Sequence, residues 1–98
     1  MYLKVHENPQ GRVVAVCDKE LIGKILDDGK THMDLDKYRN FYIGEKIGEN
    51  ELKEKLGDFN SANLVGKKAV GVAISIGVAG EEDILYIKKV PYIQIYRI

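Results

Sequence analysis

Tyr2, Lys4 and His6 alternate with Leu3 and Val5, the two-residue period of a half-buried strand, and Asn8-Pro9-Gln10-Gly11 supplies a turn behind it. Arg12 then opens the unbroken apolar run Val13-Val14-Ala15-Val16-Cys17, as expected of a strand covered on both faces near the centre of a sheet. Together these segments predict an N-terminal hairpin. Asp18 follows as the cap of a helix over residues 19–26, with Leu21, Ile22, Ile25 and Leu26 as its buried face and Gly29 as its stop. Thr31, Met33 and Leu35 alternate with His32, Asp34 and Asp36, which predicts an amphipathic edge strand. Phe41-Tyr42-Ile43 reads as a loop with a short extended piece, because Gly44 and Gly48 punctuate it. Gly48 or Asn50 caps a helix through residues 51–56, anchored by Leu52 and Leu56 and ended by Gly57. Residues 84–89 and 91–98 close the chain as two strands joined near Val90-Pro91.

The segment Ser61-Ala62-Asn63-Leu64-Val65-Gly66 leads into a helix over residues 67–77. At about 100° per residue, Ala69, Val70, Val72, Ala73, Ile74 and Ile76 spread over roughly 200°, wider than an ordinary amphipathic stripe, so this helix lies deep. The remaining strip holds Lys67, Lys68, Gly71 and Ser75. Gly71 costs about 0.5–1 kcal/mol relative to alanine, which predicts that another element or a ligand packs closely against it. The helix also starts badly. Each exposed cation in a first turn costs about 0.3–1 kcal/mol unless a carboxylate answers it, with Asp58 or another carboxylate as the candidate. Strands and helices in this order predict an α+β fold: one small domain over residues 1–98, with a mixed or antiparallel sheet packed by about three helices.

Composition narrows the function more than it names it. Ninety-eight residues support one two-layer core, and 15 Lys+Arg against 15 Asp+Glu remove the long-range field of a general nucleic-acid or membrane-surface binder. Any basic patch must be local. The single Cys17 excludes an intramolecular disulfide and any CxxC pair, which fits a reducing cytoplasm. No basic segment followed by an apolar run opens the chain, and no run approaches a membrane span, so neither export nor membrane insertion is expected. Lysine outnumbers arginine and tryptophan is absent, a balance resembling thermophilic proteomes.

Four groups of residues carry candidate chemistry. Asn63, Gly66, Lys67, Lys68 and Gly71 surround a helix start whose amides and ammonium groups favour an anion. Ser61 stands where a Walker loop needs glycine, and Lys68 where it needs Ser or Thr, so nucleotide hydrolysis is not indicated. Cys17 ends a strand before a cap, a position that can activate a thiol, although the adjacent Asp18 opposes a thiolate and a buried structural cysteine is the plainer reading. His32, Asp34 and Asp36 share a strand face and offer nitrogen and oxygen ligands to a metal, but the same spacing suits a solvated face. Tyr2, Lys4 and His6, then Tyr86 and Lys88, then Tyr92, Gln94 and Tyr96 lie on three strand faces. If these align, they form an aromatic platform flanked by cations, the arrangement that stacks single-stranded bases.

Met1-Tyr2-Leu3-Lys4-Val5-His6, Val14 through Lys24, Phe41-Tyr42-Ile43-Gly44-Glu45, Ser61 through Gly66 and Val90-Pro91-Tyr92-Ile93-Gln94 together resemble an archaeal domain-of-unknown-function family, number 424. The resemblance spans almost the whole chain in order. It implies a cytosolic archaeal protein with one small α+β domain and brings no established activity. The chain departs from that family's pattern at Tyr92, where a histidine is expected, and at the acidic positions after the glycine, where Lys67 and Lys68 stand. The resulting expectation is a non-catalytic module for RNA or a ribonucleoprotein, with no cofactor. The rivals are a small enzyme or anion-binding protein using Cys17 or the Asn63–Lys68 helix start, and a protein-interaction module that self-associates through the terminal strand edge at residues 94–98.

Overall fold

The computed structural model describes residues 1–97. Eight strands form, β1 (Tyr2–Asn8), β2 (Gly11–Cys17), β3 (Ile25–Asp27), β4 (His32–Asp34), β5 (Glu45–Lys46), β6 (Ser61–Val65), β7 (Leu85–Ile87) and β8 (Val90–Tyr96). Three helices accompany them, α1 (Arg39–Tyr42), α2 (Glu49–Lys55) and α3 (Lys67–Ser75). Six strands make one sheet in the order β5-β1-β2-β6-β8-β7, while β3 and β4 form a separate hairpin. The fold is α+β, and its sheet is mixed: β2 and β6 run parallel, and the other described pairings are antiparallel.

Strand β2 explains the layering. Its successive side chains point to opposite faces, so an unbroken apolar run buries both. Val14 and Val16 join Leu3, Ala62, Leu64 and Ile93 under α2 and α3, where Leu52, Leu56, Ala69, Val70, Val72 and Ala73 complete one core. Ala15 and Cys17 face the other way and join Val65, Leu26, Leu35 and Tyr42 in a second core beneath the β3–β4 hairpin and α1. Both faces of the sheet are therefore covered over β2, and β2 sits at its centre.

Several local expectations change. The helix expected over residues 19–26 is a single turn, Lys19–Leu21, followed by the extended β3. Gly23 takes the left-handed region at φ 91°, a conformation that stops a helix. The chain then pairs outward, with Gly23 N–H donating to the Leu35 carbonyl at 3.0 Å and Leu35 N–H to that of Lys24 at 2.8 Å. Ile25 is accordingly exposed and Leu26 buried, a period of two rather than 3.6. Phe41 and Tyr42, expected in a loop, belong to the short α1. The closing hairpin turns at Lys88-Lys89, both with positive φ (47° and 66°), not at Val90-Pro91, because Ile87 pairs with Val90. Residue 98 of the expected final strand lies outside the described residues.

Candidate functional site

The parallel strands β2 and β6 end side by side at Cys17 and Val65, so the chain leaves both at one edge of the sheet, through Asp18 and Gly66. Asp18 is only 2% exposed. Its carboxylate accepts the backbone N–H groups of Lys68 (3.0 Å, Oδ2) and Ala69 (2.9 Å, Oδ1). Those donors are among the amides at a helix start that have no partner inside the helix. Asp18 therefore caps a helix 50 residues away, not one of its own. The answering carboxylate at the lysine-bearing helix start is this one; Asp58 instead binds Arg12 Nη1 at 3.0 Å. Gly66 has φ 109°, and a Cβ there would stand 2.3 Å from the Asp18 carboxyl carbon, so only glycine lets the two segments meet.

Around this cap Lys67, Lys68 and Lys89 line one cavity of about 310 Å³ with Glu20 and Pro91. The Lys67–Lys68 pair and Lys89, far apart in sequence, thus converge. None of the three forms a salt bridge among the described residues. Because Asp18 already occupies the Lys68 and Ala69 amides, an anion entering here would meet ammonium groups rather than those amides. Of the two alternatives for Gly71, the packed element is not found. Nothing lies within 4 Å of where its Cβ would be, so no element packs against it, and it lies open along grooves lined also by Lys67 and Ser75.

Register aligns part of the expected aromatic platform. Tyr2 pairs with Cys17, Lys4 with Ala15 and His6 with Val13; Val65 pairs with Tyr92, Asn63 with Gln94 and Ser61 with Tyr96. Since Val13, Ala15 and Cys17 pair in turn with Ser61, Asn63 and Val65, all of these project from one sheet face. Tyr86 does not join them. It pairs with Pro91 and lines a groove against α3 on the opposite face, and Lys88 lies in the β7–β8 turn. Nor is the shared face open throughout. His6 stacks on Phe41 at 4.5 Å, Lys4 Nζ donates to the Asn40 carbonyl at 2.8 Å, and Tyr92 packs against the second core. Gln94 and Tyr96 stay exposed. Where α1 and β4 stand off from β6 and β8, a cleft of about 440 Å³ remains, with Tyr38, Phe41, Tyr42, Asn63 and Gln94 among its lining.

The remaining candidates are taken up by other contacts. Cys17 is fully buried, its thiol donates to the Asp18 carbonyl at 3.4 Å, and burial, followed by the Asp18 and Glu20 charges, pushes its pKa up to about 12. A thiolate nucleophile is thus strongly disfavoured. His32 Nδ1 stands 3.1 Å from Asp27, whose carboxyl is held below its usual range by the Gly29 N–H and His32. Asp34 accepts the N–H groups of Asp36 and Lys37, and Asp36 pairs with Arg39. Among the described residues, no three His, Cys, Asp or Glu side chains are placed to hold one metal ion.

A family model described as "Protein of unknown function (DUF424)" matches residues 5–98. The chain belongs to the DUF424 family. No curated protein matches it. Among solved structures, one described as an uncharacterized conserved protein from Methanopyrus kandleri has a TM-score of 0.81 at 25% identity, covering 97% of this chain and 89% of that one. Neither description carries an activity, so the functional argument for this DUF424 chain rests on its own geometry. Its least legible residues are Asp18, which carries no local sign of a distant helix cap, and Tyr38, whose spacing to Phe41 and Tyr42 was the one available signal of an aromatic wall.

Proposed function

We propose that this DUF424 chain is a non-catalytic module that binds single-stranded RNA, free or within a ribonucleoprotein, in the reducing cytoplasm. The observation that carries the reading is the convergence of Lys67, Lys68 and Lys89 on one cavity, free of salt bridges among the described residues. Ammonium groups brought together from separate segments suit a phosphodiester backbone, whose binding rests on counterion release. The exposed Tyr96 and Gln94 on the sheet face, beside a partly aromatic cleft, suit unstacked bases better than a duplex. The buried, proton-holding Cys17 speaks against the thiol-enzyme alternative.

Fluorescence anisotropy with a short unstructured RNA across a salt series tests this. Three phosphate contacts give a slope of log K on log salt of about −2 for a single strand, and K67Q/K68Q/K89Q flattens it. Binding that is absent at low salt, or untouched by the triple substitution, overturns the reading. A second reading, self-association through the terminal strand, draws on one observation. Among the described residues, strand β7 pairs with Val90–Tyr92 and one side of β8 is unpaired from Ile93 to Tyr96. A solution mass that stays monomeric across concentration removes it.

A further inference from the structure

We infer that the cleft between α1, β4 and the β6–β8 ladder is a pocket for one unpaired nucleobase, separate from the lysine cavity; the inference rests on the RNA reading for its source of ligand. Its floor is a registered pair of amides, Asn63 opposite Gln94, projecting from the same face. Neither side chain makes a hydrogen bond to another described residue. Every amide side chain carries both donors and an acceptor, and two side by side present the mixed edge that a base's own donors and acceptors complement. Asp34 lines the same cleft, and only its Oδ1 is engaged, by the Asp36 and Lys37 N–H groups, which leaves Oδ2 as a further acceptor.

The walls suit a planar ring. Phe41 is fixed by stacking on His6 at 4.5 Å and by an edge contact with Tyr42 at 5.1 Å, while Tyr38 is 55% exposed, with Lys37 Nζ over its ring at 5.4 Å from the centroid. A volume of about 440 Å³ is in the range of small-molecule pockets. Charge selects against phosphate in this place. No lysine or arginine lines the cleft, and its His32 is paired with Asp27. A neutral heterocycle with a hydrogen-bonding edge meets all of these features, whereas an anion would use the amide N–H groups but not the aromatic walls or the acceptors.

Nucleosides, which carry a base and no phosphate, separate this site from the lysine cavity. Adenosine and uridine are titrated into isotope-labelled protein, with the side-chain NH₂ resonances of Asn63 and Gln94 followed by NMR. Saturable shifts of those resonances, retained in K67Q/K68Q/K89Q, are expected, together with shifts of the Tyr38 and Phe41 backbone amides that N63A/Q94A abolishes. Y38A, at an exposed position, is expected to weaken short-RNA binding about tenfold, the size of one lost base stack. RNA that binds through the lysines while both amide resonances stay still, with equal affinity in N63A/Q94A, overturns the pocket and leaves the RNA reading standing. Nucleosides that fill the cleft of a chain that binds no RNA uphold the pocket and overturn the RNA reading. Silence from nucleosides and RNA alike overturns both.

Discussion

The carboxyl end and the middle of β6 treat their polar groups in opposite ways. At its carboxyl end the helix-start amides of Lys68 and Ala69 are capped from inside by Asp18, and Gly66 is stripped of a side chain so that the carboxylate fits. In the middle of the strand Asn63 and its neighbour Gln94 face an open cleft with no partner among the described residues. The first arrangement holds the fold together and the second is available to a ligand. A charged or polar cluster in sequence does not distinguish them; only the presence or absence of an internal partner does.

The contrast breaks most visibly at Gly66. Gly66→Ala is expected to cost about 3 kcal/mol or more, since it combines a positive φ with a Cβ inside contact distance of Asp18, and urea unfolding measures it. Asp18→Ala leaves one buried and one part-buried donor without an acceptor and is expected to cost about 2–3 kcal/mol, with Asp18→Asn costing less because an amide oxygen still accepts. A loss for Asp18→Ala below about 0.5 kcal/mol would show that water replaces the cap and that this end is not closed.

Alkaline pH probes the core beside the cap. Burial raises Cys17 and Tyr42 each to about 12, so the folded state keeps protons that the unfolded state releases from its ordinary values of 9.0 and 10.0. The unfolded chain then binds fewer protons than the native one, and stability falls as pH rises. The contribution is complete below pH 9.0 and is lost towards about 12. Each group steepens the loss by roughly 1 kcal/mol per pH unit within its window. Unfolding curves collected from neutral to high pH check this, and thiol alkylation of the native protein should stay negligible at pH 9.0, where an ordinary cysteine reacts. The smallest stability effect belongs to the open region. N63A/Q94A should shift unfolding by less than about 0.5 kcal/mol, because those amides hold nothing in the fold. A larger destabilisation would make them structural after all and erase the contrast.

Legibility followed the range of the forces involved. The extended β1, the doubly apolar β2, the Gly48 start of α2 and the deep face of α3 rest on terms that act within a few residues, and each is found where the pattern places it, except that Val5 of β1 is exposed rather than buried beside Leu3. Local terms misled at residues 19–26, where Asp18 and the apolar spacing suggested a helix. There Gly23 and the pairing with Leu35 outweigh helix propensity, and the Asp18 carboxylate is spent elsewhere. At Gly71 the glycine suggested a packed element or a ligand, and no element is there.

From sequence alone come the strand and helix periodicity, the α+β class, the burial of both β2 faces and the DUF424 resemblance that the family match then establishes. The tertiary structure decides everything that depends on β6 lying between parallel β2 and antiparallel β8: Asp18 reaching α3, Lys67 and Lys68 meeting Lys89, and Asn63 facing Gln94 under an aromatic wall. Strand pairing joins residues tens of positions apart, and no local spacing encodes which polar groups will find a partner there and which will be left for a ligand.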